Sequence, residues 1–225
     1  MKVKINKRLE IVASMVEENS KVIDVGCDHA LLDIYLVEVG KSNRLIASDN
    51  KSGPLENAKE NIKKYKLENK IKTKLGNGVE TIEDDIDTII ISGMGGLNII
   101  GILKYKKNLY KQVNTLILSP NSDTEKVRKE ICKLGFYISN EKLVKDKNII
   151  YPVICFKRGK KHYSKKELLF GPILLEKKEA LFYEYINNQK IAKENLLDIL
   201  PKKYFERRFE LKRELRLIDK LKLEK

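Results

Sequence analysis

The sequence predicts an α/β fold in which a mostly parallel sheet of seven strands is followed by a helical C-terminal part. Short apolar runs alternate with helical patterns through residues 5–134, which is typical of the βα units that build a parallel sheet. The last two runs, 136–144 and 149–157, are separated only by a charged turn, which predicts an antiparallel pair and one reversed strand. Beyond residue 158 long helical patterns replace the strands.

The composition is that of a globular chain with a strongly basic charge. Hydrophobic residues make up 42% of the 225 residues, enough to bury a core, and the net charge is +14. This charge favours a polyanionic partner, with nucleic acid ahead of a membrane surface. The excess of lysine can also result from genome composition, because the chain is rich in asparagine and isoleucine as well. Cys27, Cys132 and Cys155 have neither zinc-site nor disulfide spacing, and no long apolar run occurs. We therefore expect a cytoplasmic protein with no metal, no membrane contact and no obligate protein partner.

A short helix is predicted over residues 5–18, ahead of the first strand, because Leu9, Val12 and Val16 recur on one face. Arg8 falls on the polar side of this helix. It is either a solvated surface charge or a contact to a ligand carboxylate or an RNA phosphate.

The stretch 21–29 (K-V-I-D-V-G-C-D-H) predicts a buried strand, a tight turn and a helix start. A dinucleotide fingerprint needs three glycines, but only Gly26 is present, and Asp28 and Leu31 occupy the second and third positions. A carboxylate at the second position would repel a pyrophosphate. The turn therefore favours a cationic adenosine ligand without phosphate, for which S-adenosylmethionine (SAM) is suited, and disfavours an NAD-dependent oxidoreductase.

The next segments continue the βα pattern. A helix is predicted over 30–39, with Gly40 at its end, and a strand over 44–48 leads to Asp49. An acidic residue about 20 positions after the glycine turn is placed to bind ribose hydroxyls, although Asp49 could instead cap the helix that starts near Ser52. Pro54 suits the first turn of that helix, which reaches about Tyr65.

Two glycine-rich stretches follow the third and fourth strands. The strand 71–75 precedes Gly76-Asn77-Gly78, which either approaches an adenine or is a simple turn. The strand 87–92 is almost uniformly β-branched, as in a buried central strand, and precedes Gly93-Met94-Gly95-Gly96. Because parallel sheets bind ligands at the carboxyl ends of their strands, we expect the second stretch to contact a ligand rather than form only a flexible turn.

The strand 115–118 leads to Ser119-Pro120-Asn121, and an amphipathic helix follows over 123–134. The amide of Asn121 is at the same edge of the sheet. It either reads the edge of a base or forms a local turn with its own backbone.

The C-terminal part is predicted to be a separate domain, residues 159–225 after a sheet domain of residues 1–158. Residues 157–225 carry 20 basic and 11 acidic residues. Helices are predicted over 173–199 and 202–223, broken at Pro201, and Leu211, Leu215 and Ile218 recur at coiled-coil spacing. The basic residues of this hairpin are either a solvated flank or a clamp on RNA: Lys202, Lys203, Arg207, Arg208 and Arg213.

In combination, the motifs D-V-G-C-D-H-A, S-G-M-G-G, S-P-N and a late G-P resemble the bacterial tRNA (adenine-22-N1)-methyltransferase family over nearly the whole chain. The resemblance implies a Rossmann-like class I SAM-dependent methyltransferase with a C-terminal coiled-coil domain. It would methylate N1 of an adenine in the D-loop region of tRNA. The resemblance assigns the cofactor to Asp24, Gly26, Cys27, Asp28, His29, Ala30, Asp49, Asn50, Asn77, Gly78, Gly93, Met94, Gly95 and Gly96.

Three positions depart from the family pattern. Asp33 stands where the family has proline, Ser119 where it has glutamine, and Pro152 where it has glutamate after a tyrosine. We expect Tyr151, Arg8, Asn121 and the basic hairpin to serve the RNA substrate.

Adenine N1 has its own lone pair, so the transfer needs alignment rather than a protein nucleophile. A carboxylate that accepts a hydrogen bond from the exocyclic amine would stabilise the charge that develops. Asp28 is the candidate, since the resemblance makes it catalytic, and its alternative role is a helix N-cap. His29 is expected at the helix start or the cofactor rather than as a base, and Cys27 is an improbable nucleophile inside the cofactor turn. The remaining alternatives are a non-catalytic RNA-binding protein and a methyltransferase for another RNA base.

Overall fold

The computed structural model describes residues 2–105 and 107–223, which form two compact units divided between His162 and Tyr163. The first unit contains one seven-stranded sheet with the strand order β3-β2-β1-β4-β5-β7-β6. The strands are β1 Lys21–Val25, β2 Arg44–Asp49, β3 Ile71–Leu75, β4 Thr88–Ser92, β5 Thr115–Ser119, β6 Phe136–Asp146 and β7 Ile149–Arg158.

The predicted mixed sheet is confirmed. Strands β1 to β5 pair in parallel, and β7 pairs antiparallel with both β5 and β6. Within the described residues β7 is therefore the one reversed strand. The order reverses direction beside β1, where β1 lies between β2 and β4. Ligands bind at such a switch point in open α/β sheets.

The core of the first unit lies where the β-branched runs pack under helices. Ile89, Ile90 and Ile91 of β4 have no exposed surface, as expected for a strand covered on both faces. In the described part of the first unit, α1 Lys7–Ser14 precedes β1 and four helices connect the strands: α2 Leu31–Glu38, α3 Ser52–Lys64, α4 Gly96–Lys104 and α5 Thr124–Lys133. Short 3₁₀ turns cover Gly78–Thr81 and Lys107–Tyr110.

The second unit contains helices α6 Lys165–Phe170, α7 Pro172–Lys177, α8 Ala180–Ile199 and α9 Phe205–Leu223. The prediction of one continuous helix over 173–199 is wrong, because Lys178 adopts a left-handed conformation (φ 46°) that ends α7. The second long helix begins at Phe205 rather than at residue 202, after the turn that contains Pro201.

The hairpin of α8 and α9 buries one face of α9, where Leu211, Ile218 and Leu221 pack inside while Leu215 is only half-buried. Glu214 is also buried in this seam and accepts a hydrogen bond from Lys193 of α8, with 2.6 Å between Nζ and Oε2. The contact between the two helices therefore includes a charged pair as well as apolar residues at coiled-coil spacing. None of the described helices is long and apolar enough to cross a bilayer.

Candidate active site

The carboxyl ends of β1, β2, β3 and β4 border a cleft of about 900 Å³ in the first unit. The cleft is large enough for a nucleoside-sized ligand. The predicted loops after these four strands all contribute to it. Its lining includes Gly26, Asp28, Asp49, Asn50, Asn77, Gly78, Gly93 and Met94.

The turn after β1 is built from alternate left-handed residues. Gly26, Asp28 and Ala30 have φ values of 81°, 51° and 53°. The backbone N–H groups of Gly26 and Cys27 both donate to the carbonyl of Ser48, at 2.8 and 3.0 Å, which ties the turn to β2. A Cβ on Gly26 would lie 2.4 Å from Met94 Cε, so the first glycine also permits close contact with the loop after β4.

Asp28 does not cap α2. The N-cap position is Ala30, and no side chain makes a capping hydrogen bond there. The Asp28 side chain is 71% exposed, and its Oδ2 lies 3.6 Å from Nε2 of His29. The carboxylate therefore remains accessible from the cleft.

Asp49 does not cap α3 either, since Lys51 occupies that N-cap position. Asp49 Oδ1 accepts a hydrogen bond from the Lys51 backbone N–H at 2.9 Å, and the side chain borders the cleft. Beside it, Gly78 adopts a φ of 57°, and a Cβ there would lie 2.6 Å from Ile102 Cγ2. Only glycine fits this wall without displacing Ile102 of α4.

Asn121 joins the loop after β5 to the glycine loop after β4. Its Nδ2 donates to the Gly93 carbonyl at 2.6 Å, and its backbone N–H donates to the Met94 carbonyl at 2.8 Å. The Asn121 Oδ1 accepts from Arg8 Nη1 at 2.9 Å, so this amide serves tertiary contacts rather than a local turn. These bonds hold the backbone of Gly93 and Met94 in one position.

Arg8 is buried, with only 8% exposed, so its placement as a solvated charge on the polar side of α1 is wrong. Its Nε donates to Ser119 Oγ at 3.0 Å and its Nη2 to the Ser119 carbonyl at 2.6 Å. The guanidinium carbon stands 4.2 Å from the centre of the Tyr151 ring. Burial lowers the pKa of this guanidinium, while the Tyr151 contact opposes that effect.

A second cavity of about 190 Å³ adjoins the cleft beneath α1. The two share Gly26, Asp28, Ser92 and Gly93 in their linings. The second cavity adds a different set of polar groups: Asn6, Arg8, Asp24 and His29. Asp28 is the one acidic residue of the described chain that lines both cavities.

A family model described as tRNA (adenine(22)-N(1))-methyltransferase matches residues 22–220. The chain belongs to this family. The enzyme of that name from Bacillus subtilis (strain 168) is 31% identical over 186 residues, which are 80% of this chain and 78% of the relative.

Two solved structures related to this methyltransferase family hold cofactor molecules. A Streptococcus pneumoniae protein, proposed to be a tRNA (m1A22) methyltransferase and solved in complex with S-adenosyl-L-methionine, is 31% identical, with a TM-score of 0.88 and coverage of 97% of this chain and 99% of that one. TrmK of M. capricolum, solved with S-adenosyl-homocysteine, is 26% identical, with a TM-score of 0.83 and 96% coverage of both chains.

The residues of this tRNA methyltransferase fit SAM. Gly26 and Gly78 line the cleft at positions where a Cβ would clash with Met94 or Ile102. Asp28 and Asp49 supply negative charge along the same wall. Among the described residues no cluster of three or more His, Cys, Asp or Glu could hold a metal ion. Cys27 is buried, and burial together with Asp33 and Asp24 raises its thiol pKa far above the usual range. A thiolate nucleophile is therefore disfavoured at this position.

The basic residues of the hairpin, in the second unit, divide into two kinds. Lys202 and Lys203 are exposed. Arg207 pairs with Glu210, with 2.9 Å between Nη1 and Oε2, and Arg208 donates from Nη1 to the carbonyls of Leu197 and Leu200. Sequence reasoning missed three exposed aromatic residues next to these cations, which could have been found from their closeness to the basic residues in the sequence: Tyr204, Phe205 and Phe209.

Proposed function

We propose that the chain transfers a methyl group from SAM to N1 of adenine 22 in tRNA, and that Asp28 is its catalytic residue. The observation that carries this proposal is the position of Asp28, which borders both cavities at the end of β1 in a chain of this family. When bound, SAM supplies an electrophilic methyl group. The Asp28 carboxylate would accept a hydrogen bond from the exocyclic amine of adenine, whose acidity rises as N1 acquires the methyl group.

The walls of the cleft suggest how the cofactor is held. Asp49 would accept hydrogen bonds from the ribose hydroxyls, and the Asn77-Gly78 backbone would border the adenine of the cofactor. The remaining cofactor-loop residues would shape this site through their backbones: Cys27, Ala30, Asn50, Met94, Gly95 and Gly96. The amino-acid end would extend toward the second cavity, where Asp24 lies. An acidic wall suits a ligand that carries a sulfonium and an ammonium group.

On the acceptor side, Asn121 and Tyr151 would border the adenine, with Arg8 as a positioning residue behind them. Three N–H groups of Arg8 donate to Ser119 and Asn121 and its face lies on Tyr151, which supports a role in fixing this wall rather than in direct phosphate binding. Because N1 lies on the Watson–Crick edge, the target base must be unpaired when it enters.

The second unit would bind the tRNA. Lys202 and Lys203 are exposed cations beside exposed rings, and Lys203 Nζ lies 5.3 Å from the centre of the Tyr204 ring. Cations with aromatic rings are a common surface for phosphates and unstacked bases. Arg208 would instead close the hairpin, because it occupies carbonyls at the C-terminal end of α8, and Arg207 is shared with Glu210. A tRNA substrate would also support a cytoplasmic location.

The decisive experiment incubates the purified chain with SAM and two tRNA transcripts that differ only in A22 or G22. Mass spectrometry of nuclease fragments is expected to find one added methyl group at A22, and none on the G22 transcript. A non-catalytic RNA-binding protein would bind both transcripts and methylate neither. Methylation of both transcripts at another base would contradict the proposed position.

A further inference from the structure

Two carboxyl groups are buried against each other beneath the cofactor turn. Asp24 of β1 is 5% exposed and Asp33 of α2 has no exposed surface. Within the described residues, neither carboxyl oxygen of Asp33 accepts a hydrogen bond. The side chain that reaches the Asp33 carboxyl is the carboxyl of Asp24; the other interaction of Asp33 is with its own backbone N–H, outside ordinary hydrogen-bond geometry. Two ionised carboxylates accept hydrogen bonds but donate none, so this contact requires a proton.

Burial and the neighbouring charged groups determine the protonation state of Asp24 and Asp33. Burial raises the pKa of both acids, that of Asp24 to about 7. The charge of Asp24 raises the pKa of Asp33 further, whereas the hydrogen bond with Asp33 lowers the pKa of Asp24. From β2, Asp49 adds negative charge, and the Cys27 thiol carries none. The remaining titratable groups that line the same cavity are Arg8 from α1, which is held by Ser119 and Asn121, and the exposed Asp28 and His29 of the turn.

The two acids have different access to the ligand site. Asp24 lines the second cavity, whereas Asp33 is sealed behind it and lines neither cavity. We propose that Asp33 is a positioning residue that stays a neutral carboxylic acid and donates its proton in a hydrogen bond to Asp24. Asp24 is thereby held as the anionic acceptor for the ammonium group of the cofactor. This inference rests on the proposed function for the identity of the ligand.

The arrangement gives cofactor binding a defined pH dependence. The neutral acid at Asp33 stabilises the ionised form of Asp24. As the pH falls, Asp24 binds a proton of its own and loses its charge. If only ionised Asp24 binds the ammonium, a pKa of about 7 makes affinity about tenfold weaker at pH 6 than at pH 8. Cofactor binding near pH 6 is expected to release a proton from Asp24.

The test measures binding of S-adenosylhomocysteine by titration calorimetry from pH 6 to pH 8. Its ammonium is its only cationic group, which isolates the contact with Asp24. Asp33→Asn keeps a neutral hydrogen-bond donor, so its affinity should stay within about twofold of the parent chain with the same pH midpoint. Asp33→Leu removes the donor at similar volume, so its midpoint should move to higher pH and its affinity at pH 7 should fall about tenfold. The exposed Asp198→Asn is the matched control and should change neither value.

Infrared spectroscopy provides a readout that needs neither ligand nor the leucine variant. At pH 9, where Asp24 with its pKa of about 7 is ionised, the carbonyl band of a protonated carboxylic acid should be present in the parent chain and in Asp198→Asn, and absent in Asp33→Asn. Absence of that band from the parent chain overturns the proposal. The proposal is also overturned if the pH midpoint of cofactor binding falls by about one unit in Asp33→Asn, because Asp33 must then have been ionised in the parent chain. A folded Asp33→Leu with an unchanged midpoint also overturns it. Failure of the parent chain to bind at any pH overturns instead the proposed function.

Discussion

Arg8 Nη1 and Asn121 Oδ1 lie 2.9 Å apart, although 113 positions separate the two residues. This hydrogen bond connects the helix that precedes the sheet to the loop that follows β5. Through Asn121 Nδ2 and the Gly93 carbonyl, it reaches the glycine loop of the cofactor cleft. The wall on which we place the acceptor base is therefore fixed by a residue from the start of the chain.

Replacing Arg8 with lysine should reduce turnover while cofactor binding is preserved. Lysine keeps the charge but cannot make the three planar hydrogen bonds to Ser119 and Asn121 together with the stack on Tyr151. We expect kcat to fall by about 100-fold, as for a small misplacement of a reactive group. Single-turnover methylation of tRNA and calorimetry with SAM separate the two effects. Lys7→Ala, on the exposed face of α1, is the control, and equal losses in both variants would contradict a specific role for Arg8.

Asp28→Asn should abolish most methylation without loss of the fold. Asparagine tolerates the left-handed backbone of Asp28 better than alanine does, so the substitution removes the charge alone. We expect methylation to fall by at least about 100-fold, the usual range for a proton-transfer group. SAM affinity should change by less than about threefold. A turnover equal to that of the parent chain would exclude the catalytic role and leave Asp28 as a loop residue.

Gly78→Ala should weaken cofactor binding by closing the cleft wall. The new Cβ would lie 2.6 Å from Ile102 Cγ2, on a backbone with a φ of 57° that alanine adopts reluctantly. We expect SAM affinity to fall by about tenfold or more and stability to fall by about 1–2 kcal/mol. Gly53→Ala is the matched control, since nothing lies within 4 Å of its Cβ, and it should leave both unchanged or raise stability slightly. If Gly78→Ala binds SAM normally, this turn does not border the cofactor.

A buried ion pair between α5 and β6 should dominate the stability of that edge. Arg128 Nε lies 2.7 Å from Glu141 Oε1, and neither side chain has exposed surface. Glu141→Leu alone leaves a buried cation, so the free energy of unfolding should drop by about 3–5 kcal/mol in urea denaturation. Adding Arg128→Met should recover most of that loss. A single variant within about 1 kcal/mol of the parent chain would show that water enters the site.

The sequence predicted the sheet well because its signal is local. Continuous β-branched runs such as 87–92 indicate buried parallel strands, and glycines at their ends indicate a ligand edge. The environment of Arg8 could not be predicted, because helical periodicity assigns it to the polar face and its partners come from β5 and β7. The break at Lys178 was missed for a different reason, because its left-handed backbone is local but lysine gives no turn signal. Local pattern thus places the cofactor loops, whereas long-range contacts decide the acceptor wall.

The basic residues of the hairpin differ in whether their side chains are exposed or already hydrogen-bonded within the hairpin. Reversing Lys202 and Lys203 to glutamate should weaken tRNA binding and flatten its dependence on salt, because each exposed lysine that contacts a phosphate releases counterions. We expect a loss of about tenfold in affinity and a smaller slope of log affinity against log salt. Arg208 is unsuitable for this test, because its loss would also open the carbonyl contacts at the end of α8.

The matched control reverses Arg216 and Lys220, two exposed cations about 20 Å farther along α9 at 1.5 Å per residue. This pair changes the net charge by the same amount as the pair near the turn. A larger loss from Lys202 and Lys203 supports a local RNA-binding surface at the turn between α8 and α9. Equal losses would instead indicate that only the overall charge of the unit attracts tRNA, and the aromatic rings beside these lysines would then need no role in binding.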